Sequence, residues 1–492
     1  MYGVAAPHHA AMNCDNQVRA LLDWAYSDAA FSVAQGQTAF PDHLRGPVAD
    51  LVQAANSTDE QLRTAALKAV FAQVVEPCND RLDRAGRNAY AAVFPAIVWA
   101  ACMADPGLRD ACAQAGIVDE QACYRGYARR RQRGHAPQSL NLPAKVRRVL
   151  VLSRVTIGAD ILLTSLLCQR VHQAFPQAEV VVVGDGKLQG LLGGWPWLRV
   201  CPLRYQRRGG LSERLHSWLA LREVQESERP DCVLSPDSRL DQLGILPVAD
   251  DDHCYALWEN IQDQEQPQSL ADLLDAWACT LFALPHESVV HPSLAWDETT
   301  TAAHGQWQEC LQGRRSCACK WDHGGNPLKA LPQMAEVQIM RHCMEQGWFL
   351  VVDRGFGDEE RAASDALLRA GGWDCLDVDE DGVIGVRPED LTPSQLAGHA
   401  ILRFHGSIAG WSALQAACGL TLAYDSVGHH LAAASGVPVI SICTGHSHAN
   451  FPIAWQPRGP AAVTQIVIPT DERDQPQHWQ RVLTACAAAG AR

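Results

Sequence analysis

Three short stretches carry residues suited to holding an anion and moving a proton. The first is Asp425-Ser426-Val427-Gly428-His429-His430, which follows the apolar residues ending at Tyr424. Asp and Ser are favoured helix N-caps, and Ala432–Ala434 give a small-residue helix that Gly436 stops before Val437-Pro438-Val439-Ile440 opens a strand. Unsatisfied backbone N–H groups at such a helix start are a site for phosphate. The second stretch is Gly158-Ala159-Asp160, just beyond the apolar run Val149–Leu152. A run buried on both faces reads as a parallel strand, and ligands bind at the carboxyl ends of such strands. Asp160 stands at that end and is also a favoured cap for a helix beginning at Ile161. Gly158 is the single glycine of this loop, so the dinucleotide fingerprint G-x-G-x-x-G is excluded. The third stretch, Gly324-Gly325-Asn326-Pro327-Leu328-Lys329, lets backbone approach a ligand closely and follows it with a compact cation suited to a developing phosphate charge.

These residues need a scaffold of alternating strands and helices. From 145 to about 290 strands are expected at 149–153, 179–184, 198–202 and 232–235, with helices at 161–175, 211–228 and 269–283. From about 300 to 492 strands are expected at 316–320, 348–352, 400–403, 420–424 and 437–442. Such alternation predicts two doubly wound sheets. Residues 1–140 read as helical throughout, in segments 17–26, 44–55, 58–74, 88–104 and 107–115, and contain no cluster of catalytic residue types. Arg125, Arg129, Arg130, Arg131 and Arg133 form a basic cluster of the kind usually found on a solvated face or linker, with 135–144 as the best linker. Three domains are expected: 1–140, 145–290 and 300–492.

In order and spacing, Gly158-Ala159-Asp160-Ile161, Gly324–Lys329 and Asp425–His430 resemble the motifs of glycosyltransferase family 9, the bacterial heptosyltransferases, with one residue inserted between Gly158 and Asp160. The resemblance covers about residues 145–490 and implies an α/β chain of GT-B architecture, two facing Rossmann-like domains, here preceded by an all-helical N-terminal domain. It implies an inverting, metal-independent glycosyltransferase without a cofactor. Its donor would be a nucleotide sugar, with ADP-heptose the family's type case. Asp160 resembles the family's general base, and Lys329 would meet the departing diphosphate, with Lys320 and Arg354 as the nearest substitutes. Asp425, Ser426, Gly428 and His430 resemble the donor-binding turn. Gly324 and Gly325 would admit the donor, Glu359 or Glu360 would hold ribose hydroxyls, and Ser407, after His405-Gly406, would close the pocket floor or simply cap a helix. The acceptor stays open among a glycan, a peptide and a small metabolite. The alternative is a catalytically silent nucleotide-sugar-binding or scaffold protein.

Composition is compatible with this reading. The 41 basic and 55 acidic residues give a net charge of −14, which argues against nucleic acid as a default partner. No apolar run reaches bilayer length and the start lacks a signal-peptide pattern, so a cytoplasmic protein is expected. The N-terminal domain is expected to recognise the acceptor or build a homo-oligomer. The 18 cysteines lack any C-x-x-C pair and read as buried, reduced thiols.

Overall fold

The computed structural model describes residues 6–135, 140–206, 208–249, 254–262, 265–286 and 289–490. Among them the chain forms two wholly parallel sheets with helical crossovers. The first sheet has β1 (Arg148–Leu152), β2 (Glu179–Gly184), β3 (Leu198–Pro202), β4 (Cys232–Pro236) and β5 (Tyr255–Trp258) in the order β3-β2-β1-β4-β5. The second has β6 (Ser316–Lys320), β7 (Phe349–Asp353), β8 (Leu376–Asp379), β9 (Ile401–His405), β10 (Leu420–Tyr424), β11 (Val439–Cys443) and β12 (Val463–Val467) in the order β12-β11-β10-β6-β7-β9-β8. The central strands β1 and β10 are apolar and buried, as parallel strands covered on both faces must be. In each sheet the strand order reverses beside the first strand, between β1 and β4 and between β6 and β10. Ligands of doubly wound folds collect at the carboxyl ends of the strands that flank such a reversal.

The chain divides into two compact units rather than the three domains expected. Unit 1 joins residues 1–155 with 167–186 and 199–288; unit 2 joins 156–166 and 187–198 with 289–492. The N-terminal helices and the first sheet share one hydrophobic core, in which Tyr90, Phe94, Ile97 and Tyr124 belong to the same cluster as Leu150, Val181, Val233 and Leu257. Helix Arg84–Ala104 is buried along most of its length and contributes Ala89–Phe94 and Ala96–Val98 to this core.

A buried ionic network ties the same parts together. Arg87 donates from Nη2 to Asp237 Oδ1 at 2.7 Å, and its Nε lies 3.5 Å from Glu259 Oε1. Arg154, beyond β1, reaches Asp237 Oδ2 at 3.3 Å. Arg131 donates to Glu259 Oε1 at 2.8 Å, while Arg130 donates to the carbonyls of Gly244 and Ile245, each at 2.7 Å. Burial alone would raise the Glu259 carboxyl, but Arg131, His135 and Arg87 hold it well below the usual range. The expectation of a solvated basic face is therefore corrected at Arg130 and Arg131, which are 4% and 6% exposed. Gly244, Ile245 and Glu259 lie more than a hundred residues away in sequence, where a local reading of charge does not reach. The proposed linker falls partly on 136–139, outside the described residues.

No single helix among the described residues is long and apolar enough to cross a membrane. The cysteines are unbridged and mostly buried, as expected of reduced thiols.

Candidate functional site

The site is built where β6 and β10 end side by side in unit 2. Past β10, Ser426 caps the helix Val427–Ala434, its Oγ accepting from Gly428 N at 3.4 Å and donating to Asp322 Oδ1 at 3.1 Å. At the end of β6 the Lys320 ammonium lies between Asp353, to which it donates, and Asp322 at 3.3 Å. Lys320 is 5% exposed. Burial favours its neutral form, but the two carboxylates outweigh that and hold the amine above its ordinary value, so it stays charged. Its stem explains Gly428: a Cβ there would stand 2.7 Å from Lys320 Cδ. Lys320 is thus a buried cation fixed between two carboxylates at the end of β6.

Lys329 sits on a single 3₁₀ turn, Pro327–Lys329, and donates to the Asp425 carbonyl at 3.0 Å and to Asp425 Oδ2 at 2.9 Å. Asn326 anchors this loop by donating to the Gly445 carbonyl at 3.2 Å. Gly324 and Gly325 both have positive φ, 59° and 84°, with open space where a Cβ would project. They are required by the turn rather than by crowding.

His429 and His430 stand behind the turn. His429 Nδ1 is 2.8 Å from Ser441 Oγ, and its Nε2 is 3.5 Å from Asp425 Oδ1. Burial and the Lys329 charge push His429 down to about 3. Burial and the neighbouring His429 likewise hold His430 well below the ordinary histidine value, so both rings are neutral. His430 is 5% exposed, and its Nδ1 has no hydrogen-bond partner among the described residues.

Residues 156–166 belong to unit 2, which brings Asp160 into the same unit as this turn. A Cβ on Gly158 would lie 3.2 Å from His430 Cδ2 and 3.4 Å from Val427 Cα, so the small residue lets the two helix starts meet. Asp160 is not a helix cap. The helix begins at Ile157 with Thr156 at the N-cap, and Asp160 lies inside it, opening a π turn over Asp160–Thr164. The carboxylate is 1% exposed and accepts from Thr164 Oγ1 at 2.7 Å.

The remaining expected residues separate. Ser407 caps helix Ile408–Ala416 through Gly410 N at 3.0 Å and donates to Glu380 Oε1 at 3.2 Å. Glu360 accepts from Phe356 N at 2.8 Å at the start of helix Asp358–Gly371, an ordinary role for a helix-start carboxylate. Glu359 and Glu360 both border a cavity of about 260 Å³ whose wall also includes Asp322, Gly325, Asp353 and Arg354.

Glu336 also lines that cavity and was not anticipated. Its Oε1 accepts from the Tyr424 hydroxyl at 2.6 Å, and that hydroxyl accepts from Leu331 N at 2.9 Å. Burial pushes its carboxyl up to about 7, against the lowering effect of the Tyr424 hydrogen bond. No motif surrounds Glu336; it occupies a buried turn of helix Gln333–Glu345, and only the fold reveals it. Among the described residues no group of three or more His, Cys, Asp and Glu side chains is arranged to hold a metal ion.

No family model matches the sequence, and no curated protein sequence matches it. Solved structures do resemble it. A family 9 glycosyl transferase from Veillonella parvula is 16% identical with a TM-score of 0.50, over 70% of this chain and 98% of that one. The E. coli ADP-heptose LPS heptosyltransferase II is 18% identical, over 70% of this chain and 100% of its own, with a TM-score of 0.47. The E. coli heptosyltransferase WaaC with ADP is 12% identical, over 70% and 99%, with a TM-score of 0.49. The uncovered share is comparable in size to the N-terminal helical region. The chain therefore carries the two-sheet α/β fold of the family 9 glycosyltransferases, a GT-B fold, extended by N-terminal helices.

Proposed function

We propose that this protein is a glycosyltransferase that moves a sugar from a nucleoside-diphosphate donor to an acceptor hydroxyl or amine. The observation that carries the reading is the meeting of β6 and β10 at the strand-order reversal, where a helix start, two lysines and two neutral histidines converge. The reaction breaks the bond between the anomeric carbon and the diphosphate. The acceptor attacks from the opposite face, inverting the configuration, and loses a proton. The leaving diphosphate gains negative charge on its bridging oxygen, which fixed N–H donors and cations stabilise.

In this reading the diphosphate lies against the N-terminus of helix Val427–Ala434, with Lys320 and Lys329 flanking it and the Ser426 hydroxyl turning from Asp322 to donate to it. Asp425 does not face phosphate. Its carboxylate holds Lys329 and leaves the amine's other protons for the ligand. Neutral His430 is a hydrogen-bond donor for a phosphate or sugar oxygen. Asp160 is the general base, and Thr164 fixes its carboxylate. The donor is proposed to be an ADP-sugar, with transfer needing no bound metal.

A second reading, a nucleotide-binding protein without turnover, draws on the burial of Asp160, whose carboxylate is 1% exposed. Hydrolysis of nucleotide sugars by the purified full chain, followed by release of nucleoside diphosphate, separates the two. Slow turnover abolished by Asp160→Asn supports the transferase. Tight binding with no turnover of any sugar nucleotide, and no transfer to an acceptor library, supports the silent binder.

A further inference from the structure

A cavity of about 500 Å³ lies wholly within unit 1, where helix Glu120–His135, helix Leu211–Glu228 and the chain between β4 and β5 meet. Arg129, Arg130, Arg133 and Arg222 border it, and among the described residues no carboxylate does. In a chain of net charge −14 that is a local concentration of positive field. The spacing of three and four along helix Glu120–His135 sets Ala122, Gly126, Arg129, Arg130 and Arg133 on one face. Gly126 has a specific reason to lack a side chain: a Cβ there would lie 3.3 Å from Arg130 Nη1. Arg130 is held from behind, since its Nε and Nη2 donate to the carbonyls of Gly244 and Ile245. Those acceptors are neutral, so they orient the guanidinium without cancelling its charge.

Like charges at such spacings destabilise a helix. The helix dipole favours Arg133 in the last turn, but it offers nothing to Arg222, which arrives from the other helix. Arg222 Cζ stands 5.6 Å from the Trp218 ring, and Trp218 is fixed by donating Nε1 to the Pro247 carbonyl at 2.8 Å. Among the described residues Arg222 has no carboxylate partner. The cation is thus steadied by an aromatic face, which leaves its N–H donors for a ligand. A planar carboxylate is satisfied by one or two such forks. A phosphoryl group offers three oxygens and nearly two charges, and so suits several guanidiniums reaching it from two helices. We propose that this cavity binds a small molecule carrying two or more phosphoryl groups, at a site separate from the one assigned to the donor in unit 2. Such groups come either from a free diphosphate-type effector or from phosphates spaced on a sugar. Asp250, Asp251 and Asp252, next in sequence after Ala249 of the cavity wall, lie outside the described residues and are tested as rivals for the arginines.

The test is calorimetric titration of the full chain with inorganic pyrophosphate, fructose 1,6-bisphosphate and citrate. Lys329→Met, which removes a cation of the donor site in unit 2, should leave a pyrophosphate or bisphosphate component intact. Arg129→Gln and Arg222→Gln, at exposed and half-buried positions, should each weaken that component about tenfold or more while the melting temperature moves by no more than a few degrees. Ala122→Phe fills the cavity from its wall without changing charge, and should abolish the component. Tighter binding of either phosphate probe supports the site and names the source: pyrophosphate a free effector, the bisphosphate a phosphorylated sugar. Binding indifferent to Ala122→Phe shows an adventitious surface attraction and overturns the proposal. So does citrate binding more tightly than both phosphate probes, or no binding at all in wild type and Lys329→Met. A phosphate component that appears only when Asp250, Asp251 and Asp252 are all changed to Asn overturns it too, because the arginines then serve the chain's own acidic run.

Discussion

Lys329 Nζ lies 2.9 Å from Asp425 Oδ2, a pairing between the cation assigned to the diphosphate and the first residue of the turn assigned to the donor. The side chains are 19% and 8% exposed, so neither charge is well served by water. The pair fixes the Gly324–Lys329 loop against the β10 end before any ligand arrives. Such preorganisation lowers the ordering cost of binding.

The first prediction follows from this pair. Lys329→Met leaves the Asp425 carboxylate without its amine and removes one cation from the phosphate site. Nucleoside diphosphate binding should weaken about tenfold or more, and stability should fall by about 1–3 kcal/mol. Asp425→Asn removes a negative charge beside the proposed phosphate, so binding of a diphosphate without sugar should tighten several-fold. Calorimetry beside urea denaturation reads both effects; weakened ADP binding in Asp425→Asn would show that the carboxylate's hold on Lys329 outweighs its repulsion of phosphate.

The N-terminal helices give a second prediction. The sequence boundary near residue 145 predicts that a chain beginning near Leu142 is a self-contained GT-B fragment. Its loss of Tyr90, Phe94, Ile97 and Tyr124 would instead strip one side of the core shared with β1 and β4, and leave Asp237 and Glu259 without Arg87 and Arg131. The truncated chain should fail to fold. In the full chain, Arg87→Met should cost about 3–5 kcal/mol, because it breaks a buried ionic network from one side. A stable monomeric truncation with the far-ultraviolet spectrum of a folded α/β protein would refute the shared core.

A third prediction concerns pH. Glu336 is held at about 7 in the folded chain against an ordinary value of 4.5. A raised carboxyl contributes its stability in full below 4.5 and loses it as pH rises through about 7. Glu336→Gln should therefore match wild type near pH 4.5 and exceed it by about 1–3 kcal/mol at pH 8. His429, pushed down to about 3, acts in the opposite sense: its stability is present above about 6.5 and is lost as pH falls toward 3. Urea midpoints of the two chains across pH 4.5 to 8 check the Glu336 term, and a constant difference between them would mean that Glu336 is ionised throughout.

The alternation of apolar runs revealed most of the architecture, since β1, β2, β4, β6, β7, β10 and β11 are short, mostly apolar segments with sharp ends. The strands not anticipated have local reasons to escape notice. β8, Leu376-Asp377-Val378-Asp379, is an edge strand whose acidic residues read as a loop, and β12 at the opposite edge mixes Thr464 and Gln465 among its valines. β5 is four residues long and follows a run of aspartates. The turn at Asp425 could be read because its chemistry is contiguous. Lys320 was legible only as a substitute for Lys329, and Glu336 not at all, since each takes its meaning from partners outside its own element: Asp353 and Asp322 for one, Tyr424 for the other.

The sharpest prediction concerns Asp160. Its place inside a helix removes the simplest structural role, that of a cap, which asparagine would fill equally well. Asp160→Asn keeps an oxygen for the Thr164 hydroxyl and keeps the side-chain volume, so the melting temperature should move by no more than a few degrees. The negative charge and the capacity to take a proton are lost. General-base catalysis typically contributes about 10² to 10⁴ in rate, and turnover should fall by that order while the affinity for nucleoside diphosphate stays within about twofold. Thr164→Val tests the same carboxylate from its partner's side, and a smaller loss of about tenfold is expected because the base remains but its orientation loosens. Single-turnover transfer measured beside nucleotide titrations reads rate and affinity separately. Transfer at the wild-type rate by Asp160→Asn would exclude this residue as the base and direct the search to Asp185, Asp237 and Asp241 at the neighbouring strand ends of the first sheet.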